Sequence, residues 1–332
     1  MPDPSIWLLV FIITLAVGFG VVNGFNDAAN AIAASVGSRA LSPRRAVIIA
    51  AFFNLAGAAT GTAVAKTIGK GILISEAISY QTVVAGLVAV IVWGSVATYF
   101  GMPVSITHSY VAGMVGAGIA VVGTGAVMWG TFQRVLFSVV AAPTLGFISS
   151  FVLMVGLLWL CRQSLPARMR VIFSRLQWFT TAFLAYSHGK NDGQMPIGVI
   201  TMAVVIYTGQ VELWEDIPWW IIILSALAIS SGTAIGGWRV IKKLGLRVTA
   251  LRPVQGFVSS FSAATVIEGA SYLGIPVSTT HCASSAIMGV GATRRLSAVR
   301  WGIARSIVIA WLLTFPICGG LGYLTASLLT SL

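Results

Sequence analysis

Charged residues are scarce in this sequence. They make up 8% of its 332 residues, hydrophobic residues make up 57%, and Asp and Glu together number eight. Soluble domains average about 25% charged residues, so an ordinary soluble domain is excluded. Many apolar runs approach the roughly 20 residues that a helix needs to cross a bilayer. The sequence therefore predicts an all-α, polytopic protein that resides in the lipid bilayer.

Cysteine is rare as well. The three cysteines, Cys161, Cys282 and Cys318, lie in or beside apolar runs, without the spacing of a CxxC pair or a Cys/His ligand set. This pattern excludes a disulfide framework and a zinc site. The first residues include Asp3 but no Lys or Arg, which is unlike a secretory signal peptide.

About ten apolar segments can be recognised along the chain. Their approximate bounds are 5–36, 46–65, 82–100, 103–122, 131–160, 178–206, 218–237, 253–273, 275–292 and 306–330. Short segments that contain Pro and Gly, such as 103–122, are predicted to be half-helices.

The basic residues are distributed unevenly among the loops. Sixteen of the 20 lie at residues 39–45, 162–175, 239–252 and 294–305. Because successive segments cross the membrane in opposite directions, these four loops fall on the same side. Cytoplasmic loops carry an excess of Lys and Arg, so we expect these loops inside and both termini outside, in the inner (plasma) membrane. Topology then accounts for the net charge of +12, and no nucleic-acid partner is expected.

Two motifs occur twice in the sequence. NGFNDAANA (23–31) is echoed by SHGKNDGQ (187–194), and PVSITHS (103–109) by PVSTTHC (276–282). The order is kept, and the offsets are 165 and 173 residues. With five segments in each half, the second copy must lie upside down in the membrane. This arrangement predicts two inverted-topology repeats, as in many secondary transporters.

The repeats define the expected organisation of the chain. The first spans residues 1–160, the second spans 178–332, and residues 161–177 form a basic cytoplasmic linker. A weaker echo pairs GTAVAKTI (61–68) with GTAIGGWRVI (232–241), at an offset of 171 residues. This offset agrees with those of the stronger motifs.

Glycine and proline predict broken helices at the motifs. Gly24 precedes the first Asn-Asp pair, and Gly189 and Gly193 flank the second. Interrupted backbone at membrane depth is tolerated where it lines a cavity. Pro103 and Pro276 are predicted in the first turn of a helix, because proline lacks an N–H group. Re-entrant hairpins from the two repeats are then expected to meet at the bilayer midplane.

Three acidic residues fall inside the predicted membrane segments, namely Asp27, Asp192 and Glu268. A charge at bilayer depth costs at least about 2.5–3.5 kcal/mol, so each is a candidate functional residue. Asp27 and Asp192 occupy matched repeat positions beside an asparagine, whereas Glu268 has no counterpart in the first half. The alternative is a structural position, at an interface or in a buried pair with Lys190.

The Ser-x-Thr-His sequence after each proline suits an oxyanion. At the start of a helix, free N–H groups and the positive end of the dipole face a bound anion. Five hydroxyls add donors: Ser105, Thr107, Ser278, Thr279 and Thr280. The alternative is that they cap the helices or bond back to a carbonyl of the preceding turn.

The histidines of these motifs have three alternative roles. His108 and His281 could donate to an anion, shuttle a proton or orient the hairpins. Supporting ligands for a haem or metal site are not evident beside them in the sequence.

The N-termini of these helices would attract an anion, whereas the two aspartates would repel it. In a low dielectric the carboxylates would repel an anion strongly. A coupling cation, Na⁺ or H⁺, held by carboxylates, Asn side chains and carbonyls resolves this conflict, and no other cofactor is expected. An aspartate can also accept a hydrogen bond from a protonated oxyanion, which favours phosphate over sulfate.

These residues resemble those of a known family. GFNDAANA, HGKNDGQ and the two PVSxTH elements are similar to the signature motifs of the inorganic phosphate transporter (PiT) family. RPVQGF (252–257) and SSAIMGVGATRRLSAVRWGIAR (284–305) resemble its bacterial branch. The resemblance implies symport of inorganic phosphate with Na⁺ or H⁺ into the cytoplasm by alternating access, and no enzymatic activity.

Motif chemistry and the resemblance together imply the site residues. For phosphate they are Asn26, Asp27, Asn30, Ser105, Thr107, His108, Asn191, Asp192, Ser278, Thr279, Thr280 and His281. For the coupling ion they are Asn23, Asp27, Thr107, Asp192 and Thr280, with Na⁺ expected at Asp27 and Asp192. The family also suggests a homodimer and a cytoplasmic accessory protein as partners.

Lys190 departs from the family pattern, in which a small residue usually stands at this position. The first Asn-Asp motif has Phe25 there. We hypothesise that Lys190 supplies a fixed positive charge, either paired with Glu268 or in place of one coupling cation.

The sequence leaves two other functions open. One is transport of another oxyanion, such as sulfate or arsenate. The other is a membrane enzyme that hydrolyses a phosphorylated lipid with His108, His281, Asp27 and Asp192. The symmetry of the motifs favours alternating access over this one-sided catalysis.

Overall fold

Long apolar helices dominate the computed structural model, which describes residues 5–331. Four of them are long and apolar enough to cross a membrane: α1 (Ile6–Gly37), α4 (Tyr80–Tyr99), α6 (Trp129–Leu160) and α13 (Trp301–Ser331). Every regular element in the described range is helical, as expected where lipid offers the backbone no hydrogen bonds. The prediction of an all-helical polytopic protein is confirmed.

Two bent pairs of helices raise the number of candidate spans to as many as six. The first is α2 (Pro43–Ala58) with α3 (Ala63–Lys70), bent by 72°. The second is α9 (Trp219–Ile235) with α10 (Trp238–Lys242), which continues as a π-helical turn, and this pair is bent by 59°. A glycine with positive φ lies in each break, because only glycine adopts that conformation without strain.

The remaining helices are α5 (Ile106–Val122), α7 (Pro166–Asp192), α8 (Gln194–Thr208), α11 (Pro253–Tyr272) and α12 (Thr279–Ala292). The α7 helix begins at a proline, whose fixed φ suits the first helical position. Residues 166–177, expected in a linker, therefore form the first turns of α7.

Two helical hairpins, α4–α5 and α11–α12, meet at their tips. The hydroxyl oxygen of Thr280 in α12 lies 3.0 Å from the carbonyl oxygen of Val104, beside α5. Gly101 and Gly274 turn the chain at the two tips with φ of 67° and 66°. The two PVSxTH motifs therefore lie against each other inside the protein.

The prolines do not stand in the first helical turn as predicted. Ser105 and Ser278 are the N-caps of α5 and α12, so Pro103 and Pro276 lie two residues before the caps. Each serine Oγ accepts a hydrogen bond from the N–H group three residues later, which fixes where the helix starts.

Gly24 and Gly189 do not break their helices, which corrects the sequence prediction. The α1 helix runs without interruption past Gly24, and α7 continues past Gly189. A Cβ at Gly24 would overlap the carbonyl oxygen of Ile229, and one at Gly189 would overlap that of Asn54. Both glycines therefore serve close helix packing, whereas Gly193 does lie at the junction of α7 and α8.

The outer surface of the helices is apolar. Phe137, Val140 and Val152 in α6 are 74%, 67% and 62% exposed, and Leu324 in α13 is 61% exposed. Soluble monomers rarely expose apolar patches of this extent. This surface, with the long apolar helices, indicates a multi-pass membrane protein.

Candidate functional site

Three buried ionisable side chains lie together at the centre of the fold. Asp27 in α1 and His188 and Asp192 in α7 are each at most 1% exposed. His188 Nε2 is 3.1 Å from Asp192 Oδ2 and 3.8 Å from Asp27 Oδ2. Their ligand atoms all lie within 4.8 Å of one another. We call these three residues the aspartate cluster.

Threonines from the hairpin tips bond directly to both carboxylates. Thr280 Oγ1 donates to Asp27 Oδ1 at 2.8 Å. Thr279 Oγ1 donates to Asp192 Oδ2 at 2.7 Å, and Thr107 Oγ1 donates to Asp192 Oδ1 at 3.3 Å. The structure thus brings together the aspartates and all three threonines that the sequence singled out.

Two of the three asparagines of α1 bond to the aspartates, and the third bonds to α4. Asn30 Nδ2 donates to Asp27 Oδ1 at 2.8 Å, and Asn23 Nδ2 donates to the carbonyl of Asp192 at 3.3 Å. Asn26 Nδ2 donates to Thr98 Oγ1. The Oδ1 atoms of all three asparagines are buried without a hydrogen-bond partner among the described residues. Amide and carboxylate oxygens are the ligands that hard cations prefer, so this donor set fits Na⁺.

The serines and Asn191 lie beside the cluster and act on the hairpins. Ser105 and Ser278 accept the backbone N–H groups of His108 and His281 at 3.2 and 3.1 Å. This is the capping role that the sequence left as an alternative. The side-chain amide of Asn191 lies 2.9 Å from the hydroxyl of a serine in α11, just before the hairpin tip.

His108 and His281 pack against each other beside the hairpin tips. Their ring centroids are 5.0 Å apart, and His281 stacks on Trp311 of α13 at 3.9 Å. His108 also lies 5.3 Å from the ring of Phe315. Neither imidazole forms a hydrogen bond to the cluster among the described residues. This geometry agrees with the orienting role among the three alternatives.

His188 was not singled out by the sequence reasoning, although it lies in the SHGKNDGQ motif. Its Nδ1 is 2.8 Å from Asn54 Oδ1, and Asn54 Nδ2 donates to Thr233 Oγ1 at 2.8 Å. Thr233 in turn donates to a backbone carbonyl of its own helix at 2.9 Å. The usable signal was the spacing of His188 and Asp192, since residues four apart share a helix face.

This chain of hydrogen bonds assigns the proton positions on His188. Because Asn54 offers its oxygen, His188 Nδ1 carries a hydrogen and donates it. Nε2 faces the two carboxylates, at 3.1 Å from Asp192 and 3.8 Å from Asp27. That contact is attractive when Nε2 or a carboxylate carries a proton.

Lys190 forms the pair that the sequence hypothesis proposed. Its Nζ donates to Glu268 Oε1 of α11, and the two side chains are 20% and 29% exposed. Glu268 Oε2 is buried without a hydrogen-bond partner among the described residues. Glu268 is therefore the counter-ion of Lys190 and lies outside the aspartate cluster.

Comparison with known proteins places this geometry in a family. Residues 23–322 match the phosphate transporter family. A probable low-affinity inorganic phosphate transporter of Bacillus subtilis (strain 168) is 39% identical over 96% of this chain and 96% of its own length. One of Rhizobium meliloti (strain 1021), with the same description, is 40% identical over 93% of this chain and 92% of its own.

A solved structure is similar throughout. It is described as the sodium-dependent phosphate transporter, and it is 30% identical with a TM-score of 0.88, covering 98% of this chain and all of its own. The described relatives are transporters and permeases, and this is not an enzyme family. On these grounds the chain belongs to the phosphate transporter family.

Proposed function

We propose that this protein is a symporter that carries inorganic phosphate into the cytoplasm together with Na⁺ or H⁺. One observation carries the proposal. Two aspartates, one from each half of the chain, both accept hydrogen bonds from threonines at the two hairpin tips. The names of the relatives, which are phosphate transporters, support phosphate as the substrate.

The start of each re-entrant helix supplies the anion side of the site. The α5 and α12 helices both begin beside the cluster, because Thr107 and Thr279 in their first turns bond to Asp192. The positive ends of the two helix dipoles therefore lie next to it. Thr107, Thr279 and Thr280 supply hydroxyls, and a protonated phosphate oxygen can donate to Asp27 or Asp192. We assign phosphate to this position, with Asn26, Asn30 and Asn191 at its rim.

The aspartates supply the cation side of the site. Asp27 and Asp192 are buried at membrane depth, where uncompensated charge is costly. The oxygen-rich donors around Asn23 and Asp27 favour Na⁺, and the solved relative is sodium-dependent by its description. The contact of His188 with both carboxylates keeps H⁺ as the second candidate.

Swapped helix partners support two inverted repeats, 1–160 and 178–332, joined by 161–177. The α1 helix packs on α9 of the second half, and α7 packs on α2 of the first. In the same way α5 packs on α13, and α12 packs on α6. We infer alternating access between these repeats, in the inner membrane with both termini outside. A homodimer and an accessory protein at the basic loops complete the proposal.

Liposomes that contain the purified protein test this function. We expect labelled phosphate to accumulate under an inward Na⁺ gradient or an inward proton gradient, each imposed alone. Asp27→Asn and Asp192→Asn should abolish accumulation, whereas the exposed loop variant Glu212→Gln should keep it. Absence of accumulation under both gradients would refute the proposal, and inhibition by sulfate as strong as by phosphate would favour a general oxyanion carrier.

A further inference from the structure

Gln194 is the last residue of the SHGKNDGQ motif, and its side chain faces α3. It begins α8, two residues after Asp192, and it is 1% exposed. An unpaired polar group in the interior is costly, so a buried amide side chain is normally fixed by hydrogen bonds. The partners of Gln194 therefore indicate what it does.

The side chain of Gln194 caps the start of α3. Its Oε1 accepts hydrogen bonds from the backbone N–H groups of Val64 at 2.8 Å and Ala65 at 3.2 Å. These are the second and third residues of the helix, whose N–H groups an N-cap side chain ordinarily satisfies. The N-cap residue, Thr62, makes no such bond with its own side chain. Gln194 thus supplies the cap from another helix.

Close packing joins α3 to α8 and to the turn that follows α8. A Cβ at Gly198 of α8 would lie 2.5 Å from the carbonyl oxygen of Ala65. Trp214, in the short 3₁₀ turn after α8, fills the space beside Gly69, where a Cβ would overlap its ring. The α3 helix is therefore attached to the segment that begins at Gln194.

One hydroxyl of α3 reaches the tip of the second hairpin. Thr67 Oγ1 donates to the carbonyl oxygen of Gly274 at 2.8 Å, whereas the carbonyl oxygen of Ala63, in the preceding turn, is 3.3 Å away. Gly274 turns the chain between α11 and α12, just before Thr279 and Thr280. The α3 helix thus holds the tip that carries these two threonines.

The α7–α8 junction holds this hairpin at two points. Asp192 accepts a hydrogen bond from Thr279 at 2.7 Å, and Gln194 acts through α3 on Gly274. We propose that Gln194 is a positioning residue of the phosphate site. It fixes α3, and α3 fixes the hairpin tip, so that Thr279 and Thr280 are directed at the aspartate cluster. This inference rests on the proposed function.

The first hairpin shows a matching contact. The weaker sequence echo pairs residues 61–68 with 232–241, so α3 and α10 are matched elements. Arg239 of α10 donates to the carbonyl oxygen of Tyr99, two residues before Gly101 at the first tip. A bent helix pair therefore reaches a hairpin tip in both halves of the chain, through a different side chain in each.

Phosphate uptake by liposomes tests the role of Gln194. Gln194→Met removes the acceptor of both N–H groups at nearly constant size. It should raise the KM for phosphate by at least about threefold and change the maximal rate less, because a tip held less firmly presents its threonines less accurately. Gln194→Glu keeps an acceptor oxygen at the start of α3 and should restore most of the affinity. A mere loss of folded protein would lower the maximal rate and leave the KM unchanged.

Thr67→Val tests the second link, and it stays informative if Gln194→Met fails to fold. It removes the donor to Gly274 and should raise the KM to a similar extent. Because the two residues act in series, the double variant should raise the KM no more than the larger single change does. Thr201→Val is the matched control, since Thr201 of α8 is buried and bonds within its own helix. An unchanged KM in Thr67→Val, or effects that multiply in the double variant, would overturn the proposal.

Hydrogen exchange measures the hairpin tip without transport. The amides of Gly274 and Ile275 donate within the second tip at 3.0 and 2.9 Å, and those of Gly101 and Met102 form the same pattern in the first tip. In both the Gln and the Thr variant, exchange at the second tip should become at least about threefold faster, and exchange at the first tip should not change. Equal exchange in the variants and the wild type would refute positioning through α3.

The two measurements also separate this inference from the proposed function. Wild-type protein that accumulates no phosphate would refute the proposed function, and exchange at the second tip would still decide whether Gln194 positions the hairpin. Wild-type uptake, with KM and exchange unaffected by the substitutions, would refute the positioning role alone.

Discussion

Removal of Lys190 tests how much its ion pair with Glu268 contributes to the stability of the protein. In Lys190→Met the carboxylate of Glu268 loses its partner, and its Oε2 has none among the described residues. Removal of one member of a fully buried pair costs about 3–5 kcal/mol, whereas an exposed pair contributes about 0–1 kcal/mol. Because the side chains are 20% and 29% exposed, we expect a loss of about 1–3 kcal/mol in the free energy of unfolding.

A double-mutant cycle provides the measurement. Unfolding of the purified protein in detergent is followed for the wild type, Lys190→Met, Glu268→Gln and the double variant. The double variant should be more stable than the sum of the single losses predicts, because it leaves no charge without a partner. Lys66→Met is the control, since Lys66 pairs at 3.5 Å with Glu215, whose side chain is 77% exposed. Losses that simply add would refute the reasoning.

The same variants address ion coupling. If Lys190 contributes its charge to coupling, Lys190→Ala should change the dependence of phosphate uptake on Na⁺ or pH. Uptake that keeps the wild-type dependence on both would exclude this role and leave the pair a structural one.

Three further predictions concern packing and the site. Gly189→Ala should destabilise the protein by at least about 1–3 kcal/mol, because the added Cβ would overlap the carbonyl oxygen of Asn54. Gly156→Ala has open space around it and should stabilise its helix by up to about 1 kcal/mol. Thermal unfolding of the two variants compares them. Thr280→Val removes a hydroxyl that donates to Asp27. Loss of a buried hydrogen bond of about 1–3 kcal/mol should lower phosphate uptake by about tenfold to a hundredfold. Uptake at the wild-type rate would contradict this prediction. Ser278→Ala should cost about 1 kcal/mol of stability through the lost cap, and an unchanged melting temperature would contradict it.

The sequence predicted the helices better than it predicted their interruptions. Long apolar runs leave a membrane-embedded backbone little alternative to the helix, so the extents of α1, α6 and α13 follow closely. Glycine is ambiguous, because it both weakens a helix and admits a neighbouring backbone. At Gly24 and Gly189 the second effect applies, and it depends on a helix far away in the chain.

The same limit applies to the candidate site. Asp27, Asp192 and the motif threonines were predicted together because repeated motifs imply shared surroundings. Asn54 belongs to no repeated motif, and its bond to His188 depends on how α2 packs on α7. Such tertiary contacts cannot be inferred from one sequence.

The glycine contacts of the hairpin helices have a consequence for how each helix is held. A Cβ at Gly116 of α5 would overlap the carbonyl of Gly319 in α13, and one at Gly146 of α6 would lie 2.5 Å from that of Cys282 in α12. Backbones this close form two rigid bodies, α5 with α13 and α12 with α6. By contrast, hydroxyl–carboxylate bonds join these bodies to the aspartates. Each hairpin helix is therefore held to its partner helix by backbone packing and to the aspartates by side-chain hydrogen bonds, and a side-chain substitution can weaken the second kind of contact without disturbing the first.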